Sequence, residues 1–337
     1  MAASLIAVSG RAVAQPGAPA AWNLPDWNPK PMANDFVLPL PCGGSMAFRV
    51  VFTSGAHDAS KRSYLDDRQV LLGGADDDVP ASGYLRTDFV AGAFEDRTNA
   101  RYYLLGKYEV TNQQYDAVMA TECSVAKSNR SSYPKSAVSW FDAVEFTRRL
   151  NLWVYANKLG SLPKASGKPG FARLPTEAEW EFAARGGLAV GDAERGNRTF
   201  VPANADLSEY AWFAGPGSSA GQAQSIGALK PNPLGLFDML GNVEEIVFDE
   251  FRFNRIGRLH GQPGGIVVRG GSYLTPREAL RSSGRTELPL FDPASKMEVR
   301  LPQVGFRVAL GATAFSDLRQ ADALQREWSG LRSSSAG

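Results

Sequence analysis

The chain has 337 residues, more than most single domains, so one large domain with extensions and two domains both fit its length. Its hydrophobic fraction of 44% can fill a substantial core, and a net charge of +1 gives no basic field that would point to nucleic acid. No apolar run approaches the ~20 residues that span a bilayer, so we expect no transmembrane segment. Two cysteines, Cys42 and Cys123, exclude a disulfide-rich scaffold, and either one disulfide or two free thiols fit the sequence.

The N-terminal segment favours export. Residues 1–14 are small and apolar and end in Ala12-Val13-Ala14, which resembles the end of a secretory signal, so we expect a periplasmic or otherwise exported protein. The alternative is a disordered alanine-rich start, because Arg11 interrupts the apolar run and no basic segment precedes it. Residues 15–35 are rich in Pro, Ala and Asn and predict an extended linker.

Residues 36–94 predict short strands separated by turns, of which the run 46–52 is the clearest. The pattern predicts that this part of the chain forms a β-rich N-terminal extension of the main domain. The triplet Asp76-Asp77-Asp78 could bind a cation, but without further ligand spacing a solvated acidic loop is favoured.

Three helices are predicted from capping boxes, in which a hydroxyl is followed three residues later by an amide or an acid. The boxes begin at Thr111, Ser139 and Thr176. The third helix has glutamates near its start, where acids favour the positive end of the helix dipole: Glu177, Glu179 and Glu181.

The remaining segments alternate between irregular and regular structure. Residues 188–235 predict a long loop, a kind of loop that is usually functional or held by a bound group such as a metal. The run 264–269 predicts a buried strand that the pair Gly270-Gly271 ends. Residues 312–331 predict a C-terminal amphipathic helix that packs on the domain, with partner docking as the alternative, and 332–337 predict a disordered tail. The apolar stripe of that helix is Leu318, Ala321, Leu324 and Trp328.

Six segments, taken in order, resemble the sulfatase-modifying-factor family, whose fold is that of the formylglycine-generating enzymes. They are 106–115, 137–143, 173–187, 231–245, 268–273 and 304–307. The resemblance covers about residues 80–311. It implies an α+β, C-type-lectin-like domain with little regular secondary structure, and we expect a single domain over residues 36–311.

The resemblance also locates the family's redox chemistry. Oxygen-dependent members bind copper with two cysteine thiolates, and the matching positions here are Thr275 and Leu280. Soft Cu(I) prefers thiolate ligands, which neither a hydroxyl nor an alkyl group can replace. A second branch holds iron with three histidines, whereas this chain has two, His57 and His260. We therefore expect no copper, no iron and no catalytic residue.

A structural calcium ion is the one cofactor that the resemblance implies. Its ligands would be the side chains of Asp238 and Glu245 and the main-chain carbonyls of Gly241 and Val243. Hard cations favour such oxygen-only ligand sets. The alternative is that both acids are solvated or ion-paired. Glu244 replaces an aromatic residue of the family motif and either adds charge to the site or faces water.

The segment after the predicted strand is interpreted as one wall of a binding groove. Three of its arginines recur every four residues, so on a helix they would form a basic stripe that holds carboxylates. The alternative is that they form salt bridges with nearby acids. The predicted groove residues are Ser272, Tyr273, Thr275, Arg277, Arg281 and Arg285.

The absent metal ligands, the export-like start and the β-rich extension resemble the periplasmic regulator of the type VI secretion threonine-phosphorylation pathway. That resemblance implies a pseudoenzyme that binds a protein partner, the periplasmic region of a membrane Ser/Thr kinase. Two alternatives remain. One is an enzyme that modifies a peptide through an unrecognised site; the other is a C-type-lectin-like domain that displays a ligand-binding face between Gly271 and Gly305.

Overall fold

A computed structural model describes residues 22–54, 68–73, 86–123, 128–157, 162–253, 257–314 and 318–334. Three sequence predictions lie outside these residues: the export signal at 1–14, the acidic triplet 76–78 and any role of His57. Within the described part, no helix is both long enough and apolar enough to span a membrane.

The first half of the chain is mainly strands, followed by two helices. In order, the elements are α1 (Leu24–Trp27), β1 (Phe36–Pro39), β2 (Ser45–Phe52), β3 (Arg68–Leu72), β4 (Arg86–Val90), β5 (Phe94–Glu95), β6 (Arg101–Gly106), α2 (Asn112–Met119) and α3 (Trp140–Ala156).

The second half alternates short strands with long irregular stretches. Its elements are β7 (Lys164–Ala165), β8 (Lys168–Pro169), β9 (Phe171–Arg173), α4 (Glu177–Ala184), α5 (Asp192–Arg195), β10 (Glu244–Arg252), β11 (Pro263–Arg269), β12 (Arg285–Leu288), β13 (Val304–Phe306), β14 (Ala309–Gly311) and α6 (Leu318–Ser334).

Two sheets organise these elements. The larger has the order β1-β2-β6-β14-β9, with β5 also pairing with β6, and its pairs are antiparallel. The smaller has the order β12-β11-β10-β13, in which β10 and β13 are parallel. Between α5 and β10 the chain has only a single 3₁₀ turn at Leu207–Glu209. The predicted irregular α+β fold and its long loop are confirmed.

The main apolar core brings together α3 and side chains of both sheets. Phe146 of α3 packs edge-on against Phe306 of β13, with ring centroids 5.3 Å apart. Burying each side chain of this size contributes roughly 1.5–3 kcal/mol, so a core of this extent holds the two sheets together. A second apolar cluster surrounds Trp180 of α4 and includes Val247 of β10 and Val267 of β11.

All three predicted capping boxes are confirmed as reciprocal hydrogen bonds. In each, the first side chain accepts from a backbone N–H at the third helical position, whose own side chain accepts from the N-cap N–H. The pairs are Thr111 with Gln114, Ser139 with Asp142, and Thr176 with Glu179.

The prediction of an extended linker is wrong for residues 22–35. This stretch contains α1, and Asp35 at its end accepts hydrogen bonds from Lys107 Nζ at 2.7 Å and from Arg49 Nη1 at 3.0 Å. Lys107 is fully buried, so Asp35 supplies its counter-charge. Composition alone could not reveal these pairs, because the partners are far apart in the sequence.

The question left open about the two cysteines is resolved. Cys42 and Cys123 form a disulfide, which ties the turn after β1 to the segment after α2.

The C-terminal helix is present but shifted. It runs from Leu318 to Ser334, so it starts later than predicted and includes part of the predicted tail. Leu318 is 80% exposed, so the first residue of the predicted stripe does not pack on the domain, whereas Ala321 is half-buried. The side chains of Leu324 and Trp328 lie outside the described part of the structure.

Candidate functional site

Strand β11 ends at Arg269 and leads into two glycines in the left-handed region, with φ of 90° at Gly270 and 70° at Gly271. A Cβ on Gly271 would lie 2.6 Å from Leu280 Cδ2 and 3.1 Å from Thr275 Oγ1. Glycine is therefore needed there for space as well as for conformation. The same contacts show that the side chains of Thr275 and Leu280 meet beside one backbone position, as the resemblance implied.

The hydroxyl groups in this turn are engaged with the backbone. Thr275 Oγ1 accepts from the Ser272 N–H at 2.9 Å, and Ser272 Oγ accepts from the Leu274 N–H at 3.2 Å. The Tyr273 N–H donates to the Asn242 carbonyl at 2.8 Å. Ser272, Tyr273 and Thr275 thus shape the turn through local hydrogen bonds, and Ser272 is buried.

A surface cleft of about 370 Å³ lies beside the turn, between the loop 198–207 and the segment 277–280. Leu280, only 1% exposed, lines it and packs in an apolar cluster with Phe213 and Leu240. The complete lining is Arg198, Thr199, Val201, Pro202, Ala203, Ala205, Leu207, Arg277, Glu278 and Leu280.

Two links connect the cleft walls. Arg277 donates through both terminal nitrogens to Asp206, at 3.1 and 3.0 Å, and these bonds hold the pKa of the Asp206 carboxyl well below its usual range. Arg198 Nε donates to the Leu280 carbonyl at 3.3 Å. The sequence analysis included residues 198–207 in a loop expected to be functional but did not place them opposite the glycine turn, because a loop without helix or strand periodicity carries no pattern that places it in space.

The predicted arginine stripe is wrong. Only a short 3₁₀ turn, Arg277–Ala279, follows the glycines, and Arg285 begins strand β12. Arg277 is exposed on the cleft, Arg281 is half-buried, and Arg285 is buried. The salt-bridge alternative is confirmed for two of them, with Asp206 as the partner of Arg277 and Glu177 as the partner of Arg285.

A buried ion-pair network supports the cleft from within. Glu177 of α4 accepts from Arg285 Nε at 2.7 Å and from Arg269 Nη1 at 3.1 Å. Arg269 also pairs with Glu181 and donates to the carbonyls of residues 282 and 283. Glu179 pairs separately with Arg173 at 2.6 Å. These glutamates are therefore buried in ion pairs in addition to lying near the start of the helix, because every residue of α4 is buried.

Asp238, the first predicted calcium ligand, is buried with φ of 56°. Its Oδ2 accepts from the Gly227 N–H at 2.8 Å, while Oδ1 has no hydrogen-bond partner among the described residues. Burial raises the pKa of Asp238 to about 6. An orphaned buried carboxylate oxygen is a group that a cation would satisfy, so Asp238 fits the predicted role.

Glu245, the second predicted side-chain ligand, is already paired. Both of its oxygens accept from the buried guanidinium of Arg307, and Oε2 also accepts from the Trp180 indole at 2.7 Å. The ion-paired alternative is thus confirmed for Glu245. Arg307 supplies the counter-charge that calcium was expected to supply.

Glu109, which the sequence prediction did not single out, lies against the same loop. Its carboxylate accepts from the Val243 N–H at 3.1 Å and from the Asn242 amide at 2.8 Å. Burial raises the pKa of Glu109 well above its ordinary value. Glu109 lies two residues before the capping box that begins at Thr111, and no local pattern singles it out.

The predicted carbonyl ligands lie on the loop that enters β10. Gly241 has φ of 76°, and a Cβ there would lie 2.0 Å from the Trp212 carbonyl oxygen. Val243 is buried. In the described part of the chain, no three His, Cys, Asp or Glu side chains converge as a metal centre. The predicted calcium ion would therefore depend on Asp238 and main-chain oxygens more than on Glu245.

The two residues at the copper positions do not fit copper. Thr275 offers a hydroxyl that is already engaged in the turn, and Leu280 offers methyl groups. Cu(I) requires soft donors such as thiolates, and the two cysteines of the chain are joined in a disulfide.

The fold and the glycine turn after β11 define the class of protein. Residues 78–312 match the model of the sulfatase-modifying factor enzyme 1-like domain. This match covers more than half of the chain, so the protein belongs to that family.

Three relatives show its range. Formylglycine-generating enzyme of Mus musculus is 27% identical over 286 residues, covering 73% of this chain and 68% of the enzyme. Chaperone protein LppX of Paenibacillus barcinonensis is 30% identical over 178 residues, which cover 42% of this chain and 60% of LppX. Serine/threonine-protein kinase pkn1 of Chlamydia pneumoniae is 28% identical over 207 residues, which cover 54% of this chain and 30% of the kinase. The chain thus spans less than two thirds of the length of LppX and of the kinase.

Two solved structures share the fold. Treponema denticola variable protein 1 gives a TM-score of 0.54 at 22% identity and covers 82% of this chain and 99% of its own. PvdO from Pseudomonas aeruginosa gives a TM-score of 0.50 at 20% identity, and the match covers 73% of this chain and 92% of PvdO.

Proposed function

We propose that this protein is a non-catalytic, exported member of its family that binds a protein partner through the cleft beside β11. The observation that carries the proposal is the pair Thr275 and Leu280, which meet beside Gly271 without a thiol. Val201 and Leu207 add apolar surface to the cleft, and apolar surface with a few polar groups at its edge is the usual composition of a recognition site.

The disulfide between Cys42 and Cys123 supports export. Disulfides persist in oxidising compartments and are rare where glutathione keeps thiols reduced. Together with the signal-like residues 1–14, it favours the periplasm.

For the partner we propose the periplasmic region of a membrane Ser/Thr kinase, with the protein acting upstream of that kinase in type VI secretion. The similarity to the Chlamydia pneumoniae kinase supports this choice, because a protein named as a Ser/Thr kinase contains a segment like this chain. The chemistry of the cleft is compatible with a protein ligand, since arginines and apolar groups are common in protein interfaces.

The test is calorimetric titration of the full chain with the purified periplasmic region of the kinase. We expect saturable binding that Arg277→Ala weakens about tenfold, which corresponds to ~1.4 kcal/mol. Arg148→Ala is the matched control, because Arg148 is also an exposed, carboxylate-paired arginine but lies on α3. Absence of binding to the wild-type protein would remove the kinase as partner, and equal effects of the two substitutions would remove the cleft as the site.

We also propose a structural calcium ion at the loop 238–243, supported by the buried, unpartnered Oδ1 of Asp238. Calcium at 100 times its Kd would stabilise the folded state by ~2.7 kcal/mol. The measurement is thermal unfolding in calcium or in chelator, for wild type and for Asp238→Asn. A calcium-dependent midpoint in the wild type alone supports the site, and a midpoint that calcium does not change contradicts it.

A further inference from the structure

Arg198 is a cationic residue of the cleft wall that stands out from the other charged residues there. Its Nε donates to the Leu280 carbonyl, and its own carbonyl accepts from the Ser282 N–H at 2.9 Å. Both bonds tie it to the opposite wall. Among the residues that the structure describes, no carboxylate forms a salt bridge with Arg198. Its terminal nitrogens are therefore held near the cleft and can donate to a ligand.

The other charged residues of the cleft differ from Arg198. Arg277 is neutralised by Asp206 and stacks over the Phe213 ring, 5.5 Å from its centroid. Glu278 is exposed and, within the described ranges, has no salt bridge to a lysine or arginine. The cleft thus presents one uncompensated cation and one uncompensated anion. The accessible apolar surface is supplied by Val201, Pro202, Ala203, Ala205 and Leu207.

We propose that the cleft binds a short peptide segment of a protein partner that combines three side chains: an acid for Arg198, an apolar group for the half-buried Val201 and Leu207, and a base for Glu278. This rests on the proposed protein-binding function and adds the chemistry of the bound segment. A volume of about 370 Å³ lies near the lower end of the roughly 300–1,000 Å³ found for ligand pockets, which suits a few residues.

The reason for this specificity is charge complementarity. A carboxylate can accept two hydrogen bonds from a guanidinium, and the bond from Arg198 Nε to Leu280 already restricts its side chain before the ligand arrives. A uniformly acidic peptide would be repelled by Glu278, and a uniformly basic peptide would be repelled by Arg198. Like charges placed together disfavour both peptides, so a segment with both signs is selected.

The test is selection from a displayed hexapeptide library with the full chain as bait. We expect the wild type to enrich peptides in which an apolar residue lies between an acid and a base. Arg198→Glu should replace the acid preference with a basic one, and Glu278→Lys should replace the basic preference with an acidic one. Arg97→Glu is the control, because Arg97 is an exposed arginine outside the cleft. Unchanged thermal midpoints would show that the variants are folded.

The outcomes separate this inference from the proposed function. The same enriched sequence for wild type, Arg198→Glu and Glu278→Lys overturns the inference, and so does a lack of enrichment by the wild type. Kinase binding that neither substitution weakens also overturns it, while protein binding itself stands. Charge-patterned enrichment without any kinase binding supports the inference and removes the kinase as partner.

Discussion

Arg285 and Arg277 come from one short segment of sequence, yet they belong to two regions with opposite properties. Arg285 is buried against Glu177, in a network that α4 shares with Arg269. Arg277 is exposed on the cleft and pairs with Asp206 at the surface. The buried region contains ion pairs that are costly to break because they are shielded from water, whereas the cleft gains little stability from its charges. Charges in the first region hold the fold, and those in the second are available for recognition.

The largest effect is expected in the buried network. Glu177→Gln keeps the size of the side chain but removes the carboxylate charge that faces both Arg285 and Arg269, while Arg269 keeps its pair with Glu181. Breaking a buried pair in this way costs about 3–5 kcal/mol. Urea unfolding should show a large fall in the midpoint, or the variant should fail to accumulate in soluble form.

The control for this prediction is Glu145→Gln, which removes the charge of a partly exposed glutamate that pairs with Arg148 and Arg149 on α3. Its unfolding midpoint should stay at the wild-type value. Equal midpoints for the two variants would show that burial does not distinguish these ion pairs, and the comparison between the two regions would fail.

An intermediate effect is expected for Asp35, which neutralises the buried Lys107. Burial raises the pKa of Asp35, but hydrogen bonds from Lys107 and the Met32 N–H outweigh it, so this pKa lies below its ordinary value. The carboxylate therefore adds stability above the unfolded pKa of ~3.9, and that stability is lost as the pH falls through the folded pKa. Asp35→Asn should lower the free energy of unfolding by ~2 kcal/mol at pH 7.

The pH dependence of this difference in the free energy of unfolding tests the role of Asp35 more stringently. From pH 8 to about 5 the difference between wild type and Asp35→Asn should be constant, and below about pH 4 it should narrow. Asp116→Asn, which changes an exposed aspartate of α2, is the control and should follow the wild type. A difference that widens with acid would mean that Asp35 is not the counter-charge of Lys107.

The smallest effect on stability is expected at the cleft. Arg277→Ala breaks only an exposed pair, so the unfolding midpoint should not change even though partner binding weakens. A marked drop in the midpoint would place Arg277 with the buried network and contradict the division into two regions.

The regular elements could be predicted from the sequence, whereas the site could be predicted only in part. The capping boxes at Thr111, Ser139 and Thr176 and the strand before Gly270 depend on neighbours within a few residues, so local patterns predict them. The family motif likewise located Thr275 and Leu280 correctly at one glycine turn.

The ion pairs could not be predicted in this way. Glu177 and Arg285 are 108 residues apart, and no local pattern reports which distant charges meet. The four-residue arginine spacing predicted a stripe only on the condition of a helix, but the 3₁₀ turn ends at Ala279 and Arg285 belongs to strand β12. The ion pair of Asp35 could not be predicted for the same reason, because its partner Lys107 lies 72 residues away.

The cleft keeps the family's scaffold without its pair of thiolates, and competition for Cu(I) against a chromophoric chelator measures this difference. Wild type is compared with Thr275→Cys/Leu280→Cys, whose two thiols would meet beside Gly271. We expect the double variant to take copper from the chelator in proportion to protein and the wild type to take none. Stoichiometric Cu(I) binding by the wild type would show instead that the protein retains a copper site.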